Sequence, residues 1–369
     1  MDPVKITQDL IALKSYDGAD GPFFYIKELL ETSGIEMSII ESNGVKNIHA
    51  TIGEGEAEIG FNGHYDTVPP GTGWETDPLE PVIKGGELYG LGATDMKGGL
   101  AAMLVAYLEL AEEDLSRKVI LQVVGDEEKG GEHGTRTLIE RGLYAKRMVI
   151  GEPSGEGIAY AHKGLVRADV KTFGKRAHGS RLYAGDSAVL RAIRIINKIA
   201  EDKILILKAT RDESVNLKTC NIGLFRGGET INVIPEECYF GLDIRVPVNE
   251  DMENVVKYLE SLMDEKSKVE ISMKIKGMYT APDHELVVNA KEVAERVLER
   301  KLELRIKLGG CDGHFFTEKN IPTISMGPTG YDENGNKVIH RSNEHVGMKS
   351  IKEWKDAYKA LALHYCKSR

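Results

Sequence analysis

Two adjacent glutamates, Glu127 and Glu128, are well suited to divide metal binding from proton transfer. One carboxylate of such a pair can bind a metal ion while its neighbour acts as a base. Further side chains that ligate metals lie in short segments before and after the pair: His64, Asp66, Asp95, Glu152 and His340. Imidazole nitrogen and carboxylate oxygen are ligands of catalytic zinc. The sequence therefore predicts a hydrolase that depends on two metal ions.

The five best candidates can be divided between two metal ions. Two metals roughly 3.5–4 Å apart need a carboxylate that bridges them, and together they activate one water molecule. We assign the bridge to Asp95. This leaves His64 and Glu152 for one metal ion, and Glu128 and His340 for the other.

Asp66 and Glu127 remain for supporting and catalytic roles. Asp66 lies two residues after His64, so on an extended segment both side chains point the same way. Asp66 can then orient the imidazole ring, as carboxylates often do for histidine ligands of metals. Glu127 is predicted to take a proton from the attacking water and to pass it to the leaving amine.

Predicted strands place most of these residues at one edge of a sheet. His64 follows the apolar segment 59–61, the glutamate pair follows 119–124, and Glu152 follows 147–150. Ligands of open α/β sheets bind beyond the carboxyl ends of the strands. Because helical and strand patterns alternate along this part of the chain, we predict an α/β fold with a mostly parallel sheet and helices on both faces.

The middle of the chain has a different pattern. Between residues 160 and 280 the predicted order is strand, helix, strand, strand, helix, strand, which is a ferredoxin-like βαββαβ unit. The α/β pattern then resumes. We therefore predict a discontinuous metal-binding domain, 1–159 and 281–369, with an inserted domain at 160–280.

Composition excludes several classes of protein. The net charge of −10 argues against nucleic-acid binding, which needs a basic face. The apolar segment 100–111 is too short to span a bilayer, and no signal peptide is recognisable at the N-terminus. We therefore predict no membrane partner. The four cysteines are scattered along the chain, which predicts buried thiols in a reducing cytoplasm.

Five motifs in order resemble those of the M20 metallopeptidases, and within that family the acetylornithine deacetylase / succinyl-diaminopimelate desuccinylase branch. They are His64-Tyr65-Asp66-Thr67-Val68-Pro69, Asp95-Met96-Lys97-Gly98-Gly99, Asp126-Glu127-Glu128, Gly151-Glu152-Pro153-Ser154 and His340-Arg341-Ser342-Asn343-Glu344. The resemblance covers nearly the whole chain. It implies a zinc-peptidase-like catalytic domain with two divalent metal ions, zinc or alternatively cobalt.

The resemblance also implies roles for individual residues. The metal ligands would be His64, Asp95, Glu128, Glu152 and His340, and the catalytic pair Asp66 and Glu127. The inserted domain would act as a lid and form a homodimer, with His178 stabilising the oxyanion in the partner subunit's site. The implied substrate-binding residues are Asn232, Arg245, Gly309 and Gly310.

Two departures from the family pattern concern the substrate. The lid motif commonly ends in Ser-x-Pro, but Leu182 stands at the proline position, and His314 stands where the family often has an arginine. Structural alternatives remain open for two residues. His178 could be a lid-surface histidine, and Arg245 could pair with a neighbouring acid.

Three hypotheses for function follow. The first is removal of an acetyl or succinyl group from an amino acid such as acetylornithine, acetyl-lysine or succinyl-diaminopimelate. The second is a dipeptidase or carboxypeptidase that acts on small peptides, because this reaction also breaks an amide beside a carboxylate. The third is a non-catalytic binder of metal or metabolite, against which the presence of Glu127 argues.

Overall fold

A computed structural model of the chain describes residues 1–155 and 157–367. The strands are β1 Met37–Ser42, β2 Val45–Ile52, β3 Ala57–His64, β4 Val82–Lys84, β5 Glu87–Tyr89, β6 Lys118–Val124, β7 Met148–Ile150, β8 Gly157–His162, β9 Gly164–Phe173, β10 Ala177–His178, β11 Thr219–Gly227, β12 Val233–Ile234, β13 Glu237–Val246, β14 Ser267–Ile275, β15 Glu303–Lys307, β16 Thr323–Ser325 and β17 His345–Gly347. The helices are α1 Pro3–Ile11, α2 Gly21–Thr32, α3 Gly98–Leu110, α4 Thr135–Glu140, α5 Ala188–Asp202, α6 Arg211–Asn216, α7 Met252–Ser261, α8 Glu285–Leu298, α9 Gly313–Glu318 and α10 Met348–Cys366.

The chain divides into two compact units. The first unit comprises Met1–Ala161, Tyr279–Arg305 and Cys311–Arg369, and the second comprises His162–Met278 and Ile306–Gly310. The first unit is therefore discontinuous in sequence. The assignment of the inserted domain as a lid that forms a dimer stays a prediction.

A large sheet runs through the first unit, with the strand order β1-β2-β6-β3-β7-β16-β8-β15 in the described part of the chain. Its centre is parallel, since β3 pairs in parallel with both β6 and β7, and β7 with β16. The antiparallel pairs flank this centre, as between β2 and β6. The predicted α/β fold with a mostly parallel sheet is confirmed.

Buried apolar surface explains why these elements form. Strand β6 is buried over almost its whole length, as expected for a central strand covered on both faces. Helix α3 is buried on nearly every side, and it packs with β3 and α10 in one apolar core that includes Leu104 and Trp354. The sheet and this core give the strand ends a fixed support.

The second unit is built around an antiparallel sheet with the order β11-β13-β9-β14. Helices α5 and α7 pack on it, and their apolar residues share a core with the strands, including Ile199, Phe240 and Leu259. The sequence order β9, α5, β11, β13, α7, β14 agrees with the predicted βαββαβ unit.

Several short elements differ from the sequence predictions. Helix α6, Arg211–Asn216, precedes β11 and is additional to the predicted βαββαβ unit. The small sheet β17-β5-β4 was not predicted, because strands of three residues have no readable period. Among the described residues, no helix combines the length and apolar character needed to cross a bilayer.

Candidate metal centre

Three neighbouring strands carry the candidate ligands to the same edge of the central sheet. Strand β3 ends at His64, which is 1% exposed. Its neighbours β6 and β7 are followed by the Glu127–Glu128 pair and by Glu152. Because the three strands run in parallel, their carboxyl ends lie side by side, as at the ligand sites of other open α/β sheets.

Asp95 lies between the two candidate histidines. Its Oδ1 is 3.2 Å from Nε2 of His64, and its Oδ2 is 3.4 Å from Nε2 of His340. The two carboxylate oxygens therefore face two different imidazoles. This is the arrangement that a bridging carboxylate requires.

Each imidazole has a second carboxylate beside it. Nε2 of His64 lies 3.2 Å from Oε1 of Glu152, and Nε2 of His340 lies 3.0 Å from Oε1 of Glu128. The pairs His64 with Glu152 and His340 with Glu128 are those assigned from the sequence. The structure brings all five proposed ligands together.

Glu127 occupies the same centre as the proposed ligands. Its carboxylate, the imidazole of His64 and the carboxylate of Glu152 can place one ligand atom each within 4.8 Å of one another. Burial and the neighbouring charge of Glu152 raise the pKa of Glu127 well above its usual range. A glutamate of raised pKa beside the ligands suits the transfer of a proton at neutral pH.

Asp66 contacts His64, as predicted from the sequence. The backbone carbonyl of Asp66 lies closer to the imidazole than its carboxylate does. The carbonyl oxygen of Asp66 lies 2.9 Å from Nδ1 of His64, and its Oδ1 lies 3.5 Å from the same nitrogen. A hydrogen bond from Nδ1–H to that carbonyl fixes the tautomer with Nε2 free to ligate.

The cluster has more negative than positive groups. Five carboxylates surround two imidazoles, and they belong to Asp66, Asp95, Glu127, Glu128 and Glu152. Burial would lower the pKa of His64, but hydrogen bonds to three of these carboxylates raise it well above its usual range. Hydrogen bonds to Asp95 and Glu128 likewise raise the pKa of His340 to about 11.

These residues fit divalent cations. Buried carboxylates without compensating positive charge are costly, and the raised pKa values of both imidazoles show that the cluster attracts such charge. Neutral imidazole and carboxylate together form the donor set of zinc, and they accept cobalt and manganese as well.

In the second unit, His178 and Asn232 lie close to each other. His178 pairs with Val233 across the short β10–β12 ladder, and Gly179 N–H donates to the carbonyl of Asn232 at 2.7 Å. Nδ1 of His178 accepts the backbone N–H of Ser180 at 3.2 Å. Its ring proton therefore lies on Nε2, which is free to donate to an oxyanion.

Arg245 has an ion-pair partner within its own strand. Its Nε donates to Oδ1 of Asp243 at 2.7 Å, and a second bond of 3.3 Å reaches Oδ2. This contact is the structural alternative that the sequence left open. Of the two glycines, Gly310 lies in the second unit near the ring of His162, and Gly309 is beside it in sequence.

His314 is buried in α9 of the first unit. Its ring lies against that of Phe315 at a tilt of 37°, with centroids 3.9 Å apart, and Nδ1 lies 3.5 Å from Oε1 of Glu318. Leu182, the other departure, is 74% exposed in the second unit. His314 therefore contacts two residues of its own helix, α9.

Sequence reasoning missed two buried aspartates next to the ligand segments. Oδ2 of Asp126 accepts the backbone N–H of His133 at 2.7 Å, and its carbonyl accepts N–H groups of the turn that holds Glu128. Asp312 accepts the hydroxyl of Thr135 at 2.6 Å. In the sequence, these aspartates are marked only by their positions within glycine-containing motifs. Hydrogen bonds to a turn produce no periodic pattern of residues that could be recognised.

Histidine and carboxylate side chains are gathered beyond the ends of the parallel strands of an α/β sheet, and this donor set is that of a metallohydrolase. Comparison with known proteins agrees. The sequence profile of peptidase family M20/M25/M40 matches residues 60–364, and the chain belongs to this family.

Individual relatives are distant but match along most of their length. Over 379 residues the chain is 26% identical to the probable succinyl-diaminopimelate desuccinylase of Staphylococcus aureus (strain N315), covering 94% of this chain and 92% of that protein. It is 27% identical to the acetylornithine deacetylase of Myxococcus xanthus, with the same coverage.

The structure of aminopeptidase PepT from Bacillus cereus superimposes with a TM-score of 0.79 at 24% identity over 98% of both chains, a likeness of fold. The protein is therefore a metal-dependent enzyme that hydrolyses amide bonds.

Proposed function

We propose that this protein removes an acetyl or succinyl group from the amine of an amino acid, with two zinc ions, or alternatively cobalt, in each chain. Acetylornithine, acetyl-lysine and succinyl-diaminopimelate are the substrates we would test first. The observation that supports the proposal best is the position of Asp95, whose two oxygens face His64 and His340 separately. A single shared carboxylate of this kind suits a dinuclear centre.

In this proposal five residues hold the cations: His64, Asp95, Glu128, Glu152 and His340. The cations would supply Lewis acidity towards the scissile carbonyl and would make water a stronger acid. Asp66 would keep Nε2 of His64 directed at the centre through the contacts at Nδ1.

Glu127 would move the proton. Its carboxylate takes a proton from the attacking water as the new carbon–oxygen bond forms at the acyl carbon. The same proton then passes to the amide nitrogen as the carbon–nitrogen bond breaks. The second proton of the water also ends on the leaving nitrogen, so the products are the carboxylate of the acyl group and the ammonium group of the amino acid, and one water molecule is consumed.

We propose that His178 reaches the partner subunit's centre in a homodimer and stabilises the oxyanion that develops there during this attack. The hydrogen bond from Ser180 N–H to Nδ1 supports this role, because it leaves Nε2–H as a donor. Asn232, next to His178, and the backbone of Gly309 and Gly310 would bind the rest of the substrate. Arg245 would hold the substrate carboxylate only after releasing Asp243.

A homodimer through the second unit is part of the proposal. Strand β11 lies at the edge of its sheet, and beyond Cys220, whose N–H donates to the carbonyl of Ile206, its outer backbone groups can pair with a second copy. Leu224 and Phe225 on this strand are 44% and 45% exposed, which gives the edge an apolar surface. We place the enzyme in the cytoplasm, because its buried thiols suit a reducing compartment.

Hydrolysis of a dipeptide or of a C-terminal peptide bond is the second candidate. His314, at a position where relatives of the desuccinylase branch often have an arginine, is the observation that keeps it open. The two reactions use the same proton transfers. They differ in which groups of the substrate the pocket must bind.

The deciding experiment measures amine release from N-acetyl, N-succinyl and N-formyl amino acids and from simple dipeptides. It is run with added zinc or cobalt, with Glu127→Gln as a matched control. Turnover of an acyl-amino acid that is lost in the variant supports the proposal. Turnover of dipeptides alone would favour the peptidase. Two bound metal ions without turnover of any compound would favour a binder and contradict both.

A further inference from the structure

A buried carboxylate holds the backbone of the loop that carries Asp95. Glu344 is 1% exposed and lies four residues after His340. Its Oε1 accepts the backbone N–H groups of Thr94 and Asp95, each at 2.8 Å, and its Oε2 accepts the N–H of Gly92 at 3.0 Å. One side chain therefore satisfies three backbone donors of a loop that lies far away in sequence.

The loop needs such a partner because its backbone is irregular. Gly92 has a left-handed φ of +77°, and a Cβ at this position would come within 2.6 Å of the Thr67 side chain. Asp95 itself has a φ of −122° and a ψ of 94°, outside the helical region, just before α3 begins. Its N–H consequently lacks the bonding of a regular helix, and Glu344 accepts it instead.

Further hydrogen bonds connect the same two segments. The hydroxyl of Thr94 donates to the carbonyl of His345 at 2.5 Å, and Gly90 N–H donates to the carbonyl of Glu344 at 2.9 Å. The segment that follows His340 is thus fixed to the loop that precedes α3. With three N–H groups accepted by its two oxygens, the Glu344 carboxyl group makes more of these connections than any other side chain named here.

We propose that Glu344 is a positioning residue of the metal centre. It holds the backbone of Asp95 so that the two carboxylate oxygens of Asp95 face the imidazoles of His64 and His340. The inference rests on the proposed dinuclear function. It adds a residue that does not ligate, and it explains why the last motif continues for four residues beyond His340. In this view Glu344 sets the distance between the Asp95 loop and the segment that carries the second imidazole.

Replacement of Glu344 by Gln tests this role in the full-length chain. The amide keeps the shape but turns one acceptor into a donor, which then faces a backbone N–H group. We expect cobalt affinity to fall roughly 10-fold to 100-fold, as for other residues that support metal ligands. The visible absorption spectrum of bound Co²⁺ should change, because the ligand field depends on where Asp95 lies.

Thr94→Val is the matched control. It removes the hydroxyl bond to the carbonyl of His345, together with the one accepted from Gly330 N–H, but leaves the three bonds to Glu344 intact. If the contact serves stability alone, both variants will lower Tm and leave the cobalt spectrum unchanged. If Glu344 positions Asp95, the spectrum changes in Glu344→Gln and stays as in the wild type in Thr94→Val.

The outcomes separate this inference from the proposed function. A wild-type chain that fails to bind two cobalt ions contradicts the dinuclear site itself. A folded Glu344→Gln variant that binds two ions with the wild-type affinity and spectrum overturns the positioning role alone. If the Gln variant does not fold, Glu344→Asp replaces it, because aspartate keeps the carboxyl group with a shorter reach. The same loss of cobalt affinity is then expected, and a wild-type affinity and spectrum would refute the positioning role.

Discussion

The carboxylate of Asp66 is hydrogen-bonded to the backbone of Glu128. Its Oδ2 accepts the N–H of Glu128 at 3.2 Å, while its Oδ1 lies 3.5 Å from Nδ1 of His64. Asp66 thus contacts two proposed ligands, the imidazole ring of His64 and the backbone N–H of Glu128. Because His64 and Glu128 belong to opposite halves of the proposed centre, Asp66 fixes the halves relative to each other.

Asp66→Asn should weaken the centre without unfolding the chain. The amide preserves the size of the side chain but removes its charge and one acceptor oxygen. We expect a loss of roughly 10-fold to 100-fold in metal affinity or in kcat/KM, the usual effect of losing a group that orients a ligand. Affinity is measured by competition with a chelator.

Asp77→Asn is a suitable control, because Asp77 also accepts a backbone N–H, from Leu79 at 2.9 Å, but it is exposed. This variant should keep the wild-type affinity. If the two variants behave alike, Asp66 has no special relation to the centre.

Glu127→Gln should separate proton transfer from metal binding. The amide cannot accept the proton of the attacking water, so turnover should fall on the order of 100-fold to 10,000-fold. Metal content per chain should stay at two. Glu128→Gln, one residue away in the same turn, is the matched comparison and should lose metal as well as turnover. Loss of a metal ion from Glu127→Gln would instead identify Glu127 as a ligand, an outcome that its closeness to His64 makes worth measuring.

Asp95→Asn should affect both metal positions at once. The amide keeps one ligating oxygen and replaces the other with a nitrogen that does not bind cations. Since the two oxygens of Asp95 face His64 and His340 separately, we expect bound metal to fall from two ions per chain to one or fewer. Elemental analysis after dialysis gives this number. Two tightly bound ions in the variant would refute the bridging role.

The position of the centre could be predicted because it depends on topology. Apolar strand patterns end at His64, just before Glu127, and just before Glu152, and adjacent parallel strands bring such ends together. The assignment of Asp95 as a bridge relied on chemistry alone, and the distances to both imidazoles agree with it.

What could not be predicted depends on contacts between distant backbone segments. Glu344 was seen in the sequence as the end of a motif, but nothing in its spacing tells that it accepts N–H groups near Asp95. Arg245 shows the opposite difficulty. An arginine suits a substrate carboxylate, yet Asp243 lies two residues away on the same strand face and pairs with it. Helix α6 and the short sheet that contains β17 are too small for a periodic pattern to predict.

The four cysteines should be unreactive in the native protein. All lie within the described part of the chain as buried thiols outside any disulfide: Cys220, Cys238, Cys311 and Cys366. Burial raises the pKa of both Cys220 and Cys366 to about 12, and the thiolate is the reactive form. A thiol reagent such as 5,5′-dithiobis(2-nitrobenzoate) should therefore label them only after denaturation. Lys349→Cys, at a position 88% exposed, is a control that should react at once, and rapid labelling of the wild type would contradict the packing around these residues.

Removal of metal should destabilise the fold through the same five carboxylates that surround His64 and His340. Without cations these groups repel one another in a buried site, whereas cations that bind only the folded state stabilise it by mass action. At cation concentrations about 100-fold above Kd the gain is about 2.7 kcal/mol per site. We therefore expect a chelator to lower Tm by roughly 5 °C or more, and added zinc or cobalt to restore it. Asp95→Asn should show little of this dependence, since its centre is already incomplete. A Tm that is the same with and without chelator in the wild type would mean that the carboxylate cluster does not bind cations tightly.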